Sequence, residues 1–286
     1  DRSDNRGSGL VTLMRRLVKW LLSSWLGRTV VRSAVSATRI ELFDRSMTVS
    51  AQLFTSLFPV LILLASWATR GDADWINEAV SMPEESRSIL EDAVAAAGDT
   101  AFGLLGLVVV LASATGLSRA LTRAFAAIWE LPRPRTSLRS AWRWVAVILA
   151  LVLTLLAVRW LGQLVGGLPP GGVWPAAVAM VADFAIALFV PWVLLSGVVR
   201  ARLLLPGALI AALVNLAVRP AIAEWFANAL DVSADRYGFI GVAFTYLALL
   251  YAVSLGFLAT AVVGQVITTD GGRLGQWIRG NAQLVV

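Results

Sequence analysis

Cysteine and histidine are both absent from the 286 residues. That excludes disulfides, thiolate nucleophiles, Cys/His zinc and haem ligation, and a histidine general base. It says nothing firm about redox compartment. Charge is scarce too: Asp, Glu, Lys and Arg make up 15% of the chain, against about 25% in soluble domains. Lysine is nearly missing, with Lys19 alone among 24 basic residues. No segment alternates polar and apolar residues over strand lengths, which argues against a membrane β-barrel. There is no P-loop and no dinucleotide fingerprint; GGLPPGG at 166–172 lacks both the lysine and the strand such a loop needs. No G-x-S-x-G elbow occurs.

What is abundant is apolar length. Hydrophobic residues make up 58% of the chain. A helix crossing about 30 Å of hydrocarbon needs roughly 20 mostly apolar residues. Six runs meet this: Met47–Ala68, Ala101–Thr122, Trp142–Leu164, Val173–Leu195, Leu203–Glu224 and Phe239–Ile267. The expected fold class is all-α, a polytopic membrane protein with six transmembrane helices over 47–267. Amphipathic interfacial helices would occupy 1–46, a short external helix about 83–97, and a tail 268–286.

The charges orient these runs. Nine Lys and Arg fall in 1–46, six in 119–143, and two each in 196–203 and 268–286. The other side holds only Arg70, Arg87, Arg159, Arg219 and Arg236, while residues 69–101 carry eight acids. The positive-inside rule then puts both termini in the cytoplasm. The net charge of +6 reads as topology and headgroup attraction, and no nucleic-acid partner is expected.

Leu10, Leu13, Met14, Leu17, Val18 and Leu21 recur at helical spacing, with Arg15, Arg16 and Lys19 on another face. This is a basic helix for the membrane interface, or one packed on the bundle's end. It lacks the h-region and cleavage site of a signal peptide. Thr29–Arg45 has the pattern of a second, shorter amphipathic helix. Ser81, Pro83 and Glu84 start the external helix with a capping-box pattern. It could be a lid over the outer mouth or an inert cap. Tryptophans such as Trp67, Trp160, Trp174 and Trp225 cluster at span ends as an aromatic belt. Gly162 and Gly166 form a GxxxG, and Ala208, Ala211 and Ala212 a small face, both suited to close helix packing.

Polar groups within the spans are the candidate site. Asp183 is the only charge in Val173–Leu195, and an isolated carboxylate at that depth must protonate or find a cation. Arg219 and Arg119 are the candidate partners. The pair would be either a structural clamp or a coupling group. Thr48, Gln52, Thr55 and Ser56 share a helical face ending at Pro59, either bonding a neighbouring helix or walling a cavity. Arg119 and Arg123, one turn apart, would snorkel to headgroups or clamp a phosphate. Asn215, Arg219, Glu224 and, beyond Asn228, Tyr237 would line an outer vestibule. No metal ligand set, cofactor or catalytic residue is expected.

Four segments resemble the YihY/BrkB family of bacterial inner-membrane proteins, historically labelled ribonuclease BN-like. They are AQLFTSLFPVLILL (51–64), ATGLSRALTRAFAAIWELPRPR (114–135), LLPGALIAALVNL (204–216) and SADRYGFIGVAFTYLALLYAVSLGFLATAVVGQ (233–265). Gln265 departs from the small residue or acid common there, and Asp183 lies outside all four. The resemblance implies six membrane helices with cytoplasmic termini, an envelope role and no defined reaction. Nuclease chemistry without His would need a metal held by carboxylates, and the cytoplasmic acids Glu41, Asp44, Glu130 and Asp270 are scattered. The expectation is an inner-membrane protein, not an enzyme, that transports or helps translocate a lipid or amphiphilic envelope precursor. Membrane lipids are the expected partners, with envelope-assembly proteins or a second copy as further ones. The alternatives are a non-transporting scaffold for envelope integrity and, less in keeping with the residues, the ribonuclease.

Overall fold

A computed structural model of the chain describes residues 24–68, 115–132, 147, 153–154, 156–158, 160–167, 169, 173–195 and 198–279. Regular structure among the described residues is entirely helical. Helix α1 spans Trp25–Arg39, and the side chain of Ser24 caps it by accepting from Gly27 N at 3.0 Å. It buries Gly27, Thr29 and Ser33 and leaves Leu26, Val30 and Val35 exposed. The small and polar residues therefore face the protein and the apolar ones face outward, as suits an interfacial helix. The chain breaks at Glu41, whose φ of 55° lies in the left-handed region. Arg45 spans this break, its Nε donating to Ile40 O at 2.6 Å.

Helix α2 follows over Leu42–Ala68, so it begins five residues before the apolar run foreseen at Met47. Leu42, Ser46, Val49 and Ser50 are its buried face. Helix α3 occupies residues 115–128 and buries Leu121, Ala124, Phe125 and Ile128. It ends at Glu130, again with positive φ (54°), and Glu130 pairs with Arg39. Helix α4 is Leu156–Val165, α5 is Val173–Leu194, α6 is Ala201–Thr269 and α7 is Arg273–Arg279.

The 69 residues of α6 would make a rod about 100 Å long at 1.5 Å per residue. They form a hairpin instead. Gly238 has φ 58° and ψ −143°, a conformation open to glycine and costly for other residues. The arms 201–237 and 239–269 run back along each other. Near the fold, Thr245 Oγ1 donates to Ser233 Oγ at 2.8 Å, and Phe226 meets Tyr246 edge-on with centroids 5.1 Å apart. At the far end the arms touch through glycine: a Cβ on Gly264 would lie 2.5 Å from Gly207 Cα. Eight residues after Thr269, Trp277 of α7 returns against Arg202, with the guanidinium 5.6 Å from the ring.

The core gathers α2, α3, α5 and both arms of α6, with Phe125 and Phe257 in edge contact at 5.6 Å. Helices α5 and α6 are long and apolar enough to cross a membrane. Only about a third of each apolar stretch is buried within the chain, while Val181, Leu209, Ile240 and Phe244 stand outward. A soluble protein rarely presents so continuous an apolar surface; helices bathed in lipid do.

Several expectations lie outside the described residues: the helix over Leu10–Leu26 except its last three residues, the external helix near 83–97, most of Ala101–Thr122 and most of Trp142–Leu164. Among the described residues, no other helix packs within reach of the GxxxG at Gly162 and Gly166. A Cβ on Gly162 meets nothing within 4 Å, and one on Gly166 meets only its own helix. Close approach falls to Gly207 and Gly264, with Ala208, Ala211 and Ala212 buried alongside. A Gly264→Ala variant should lose about 1–3 kcal/mol of stability by overpacking backbone, read as a lowered Tm in detergent. Gly162→Ala should be unchanged or slightly more stable.

Candidate functional site

Asp183 stands midway along α5, with apolar or small residues around it in sequence. Its side chain is 15% exposed, and Arg219 Nη2 on α6 donates to Asp183 Oδ2 at 2.8 Å. Arg219 is 52% exposed, so its guanidinium both neutralises the carboxylate and faces outward with further N–H donors. The amide of Asn215, one turn back on α6, turns toward the same carboxylate. Pro220 follows Arg219 within the helix. Lacking an N–H, it leaves the Leu216 carbonyl without its helical donor. Polar potential thus concentrates on one stretch of the first arm, and of the two cations considered for Asp183, Arg219 is the one that pairs.

Below the pair lies a cavity of about 240 Å³. Val49 and Leu53 of α2, Leu117 of α3, Ile186 of α5 and Phe257 of α6 contribute apolar wall. Asn215 is shared between this cavity and the ion pair. On the far side of Arg219, a second hollow of about 540 Å³ opens along the hairpin's fold, lined by Trp225, Tyr237, Gly241 and Phe244. Tyr237 is part of its wall; Glu224 is exposed and is not among the described lining residues. Its described wall is chiefly aromatic and small, with Ser233 and Thr245 as hydroxyl members.

At the opposite end, Arg119 and Arg123 lie exposed on α3. Arg123 Nε donates to Arg119 O at 3.2 Å, and Arg45 Nη1 reaches Arg123 O at 3.4 Å. Three arginines therefore meet at the basic end, one of them from α2. The polar face of α2 divides between local and outward-reaching groups. Thr55 Oγ1 donates to Ala51 O at 3.0 Å and Ser56 Oγ to Leu53 O at 2.9 Å, so these hydroxyls are satisfied by their own helix. Gln52 is the outward-reaching member. Its amide lies over Gly116, where a Cβ would come within 2.2 Å of Gln52 Oε1.

Ser118 and Ser254, in the cavity wall, were not singled out in the sequence. Each is a lone hydroxyl near an apolar stretch, a faint signal that only the facing helix makes meaningful.

A protein-family model described as Virulence factor BrkB matches residues 33–276. No curated protein and no solved structure matches the chain.

A double-mutant cycle should report the clamp directly. Asp183→Asn and Arg219→Gln, alone and together, are expected to show a coupling energy of about 0.5–3 kcal/mol in detergent unfolding. The single Arg219→Gln variant should be the least stable, because it leaves the carboxylate without its cation.

Proposed function

The chain belongs to the BrkB family of membrane proteins, and on that premise we propose that it moves, or helps to move, a lipid or amphiphilic envelope precursor across the bacterial inner membrane. In this reading six helices cross the bilayer, and residues 1–46 and 268–286 lie on the cytoplasmic side, where the arginines accumulate. The observation that carries the reading is the Asp183–Arg219 pair, seated at the edge of a cavity in otherwise apolar helices. A charge held at that depth is expensive unless paired or functional. This pair is only half withdrawn, with Arg219 still open on one side.

Three features then line up along the bundle. Arg45, Arg119 and Arg123 would receive an anionic headgroup at the inner leaflet, using planar donors suited to phosphate. The cavity would hold apolar chain. Arg219, exchanging Asp183 for the passing headgroup, would relay it toward the aromatic hollow at Tyr237. Gln52 and Asn215 would supply neutral hydrogen bonds between the two charged stations.

Reconstitution tests this. In proteoliposomes carrying a fluorescent phospholipid in one leaflet, the wild-type protein should accelerate exchange between leaflets. Asp183→Asn and Arg219→Gln should each slow it about tenfold, roughly 1.4 kcal/mol at the barrier, and Arg119→Ala by a smaller factor. Wild-type rates in all three would remove these roles. Absence of exchange by the wild-type protein, with a stoichiometric protein partner co-purifying, would favour the scaffold.

A further inference from the structure

Most hydroxyls described in this bundle follow one pattern, and of the three buried exceptions, Ser33, Ser118 and Ser254, the last two share one cavity wall while Ser33 sits apart on α1. Ser46 donates to Leu42 O, Ser50 to Met47 O, Thr122 to Ser118 O, and Thr260 to Phe257 O, all at 2.7–2.9 Å. Each is satisfied within its own helix, the usual solution for a hydroxyl in an apolar medium. Ser118 on α3 and Ser254 on the second arm of α6 are 5% and 2% exposed, and their Oγ atoms have no partner among the described residues. Both belong to the wall of the 240 Å³ cavity. A buried hydroxyl left unpaired costs about 1–3 kcal/mol. Two such costs on helices facing one cavity mark a place where a partner arrives from outside the chain.

The cavity's chemistry constrains that partner. Its volume is more than tenfold the roughly 10–15 Å³ one water needs, yet each water needs two to four polar partners. Among the described residues, Ser118, Asn215, Ser254 and Thr260 are the polar members of the wall, and Thr260 is already engaged. Water would fill it poorly. No charged residue lines it among the described residues, and the part of a ligand lodged against them is neutral. An occupant that is mostly hydrocarbon, with one or two hydrogen-bond acceptors, fits both the walls and the orphaned donors. We propose that this cavity is a binding site for the neck of an acyl-ester lipid, its chain against Leu53, Leu117 and Phe257 and its ester carbonyl accepting from Ser118 and Ser254. Each serine offers one rotatable O–H donor, reoriented by a change between staggered wells. The proposal deepens the reading above. It rests on that reading for the bilayer around these helices and does not require transport.

The test uses the purified full chain in detergent and two photoreactive probes: a diazirine-bearing monoacylglycerol and a diazirine-bearing alkane of equal length without the ester. The ester probe should label peptides containing Leu117 and Val253. The Ser118→Ala/Ser254→Ala double variant should label about tenfold less, two neutral hydrogen bonds having been lost, while alkane labelling stays the same. Without probe, that variant should melt at or above the wild-type temperature, because the hydroxyls it removes are unpaired. The proposal is overturned by equal ester labelling of both proteins, by equal labelling with the two probes, or by no labelling of cavity peptides. A double variant that melts below wild type would also overturn it, since the hydroxyls would then have partners in the protein. Ester labelling without exchange between leaflets would keep the lipid site and remove translocation. Exchange without labelling would do the reverse.

Discussion

A carboxylate surrounded by hydrocarbon cannot stay ionised without a cation beside it. That constraint organises the middle of this molecule. Asp183 is the single charge of α5, and α6 supplies Arg219 at 2.8 Å, with Asn215 one turn away. The pair joins two antiparallel helices at one depth and fixes their rotation about each other. It also fixes which residues turn toward the cavity: Ile186 is three residues from Asp183, and Asn215 four from Arg219. Loss of the pair would therefore disturb the cavity as well as the helix contact.

The hairpin in α6 is what brings its second arm back to the cavity beside this pair. Gly238 reverses the chain, and Gly207 and Gly264 let the arms meet backbone to backbone at the other end. With its arms closed at the base, the second arm presents Ser254, Phe257 and Thr260 to the same cavity that the first arm reaches with Ala211 and Asn215. One helical hairpin thus supplies two walls, the cation of the pair and the outer aromatic hollow. The basic end is held separately, by Arg32 to Asp270 at 2.8 Å and by Arg39 to Glu130. These pairs are exposed, and such pairs contribute roughly 0–1 kcal/mol each. They align helix ends more than they stabilise them.

The helical class is legible because long apolar runs with few charges admit little else. Asp183 and Arg219 are legible for the same reason: a rare charge in such a run stands out, and the rule that it must be paired names its partners. The small face at Ala208, Ala211 and Ala212 is likewise readable as packing surface. What escapes the sequence depends on facing helices. GxxxG at Gly162 and Gly166 has the right spacing but no facing helix among the described residues, whereas Gly207 and Gly264 are 57 positions apart and form no local motif. The hydroxyls of Thr55 and Ser56 share a face, yet bond their own backbone. Ser118 and Ser254 look no different from them in sequence. Only hydroxyls left without a bond among the described residues, and a shared cavity, separate the two kinds.

The most direct test is a lipid-resolving structure of the full chain in a bilayer disc. A passage for amphiphiles predicts elongated density between α3 and the second arm of α6, ending beside Asn215 and the Asp183–Arg219 pair. Helices closed onto one another there, with the serines bonded to protein and the pair sealed from lipid, would contradict it.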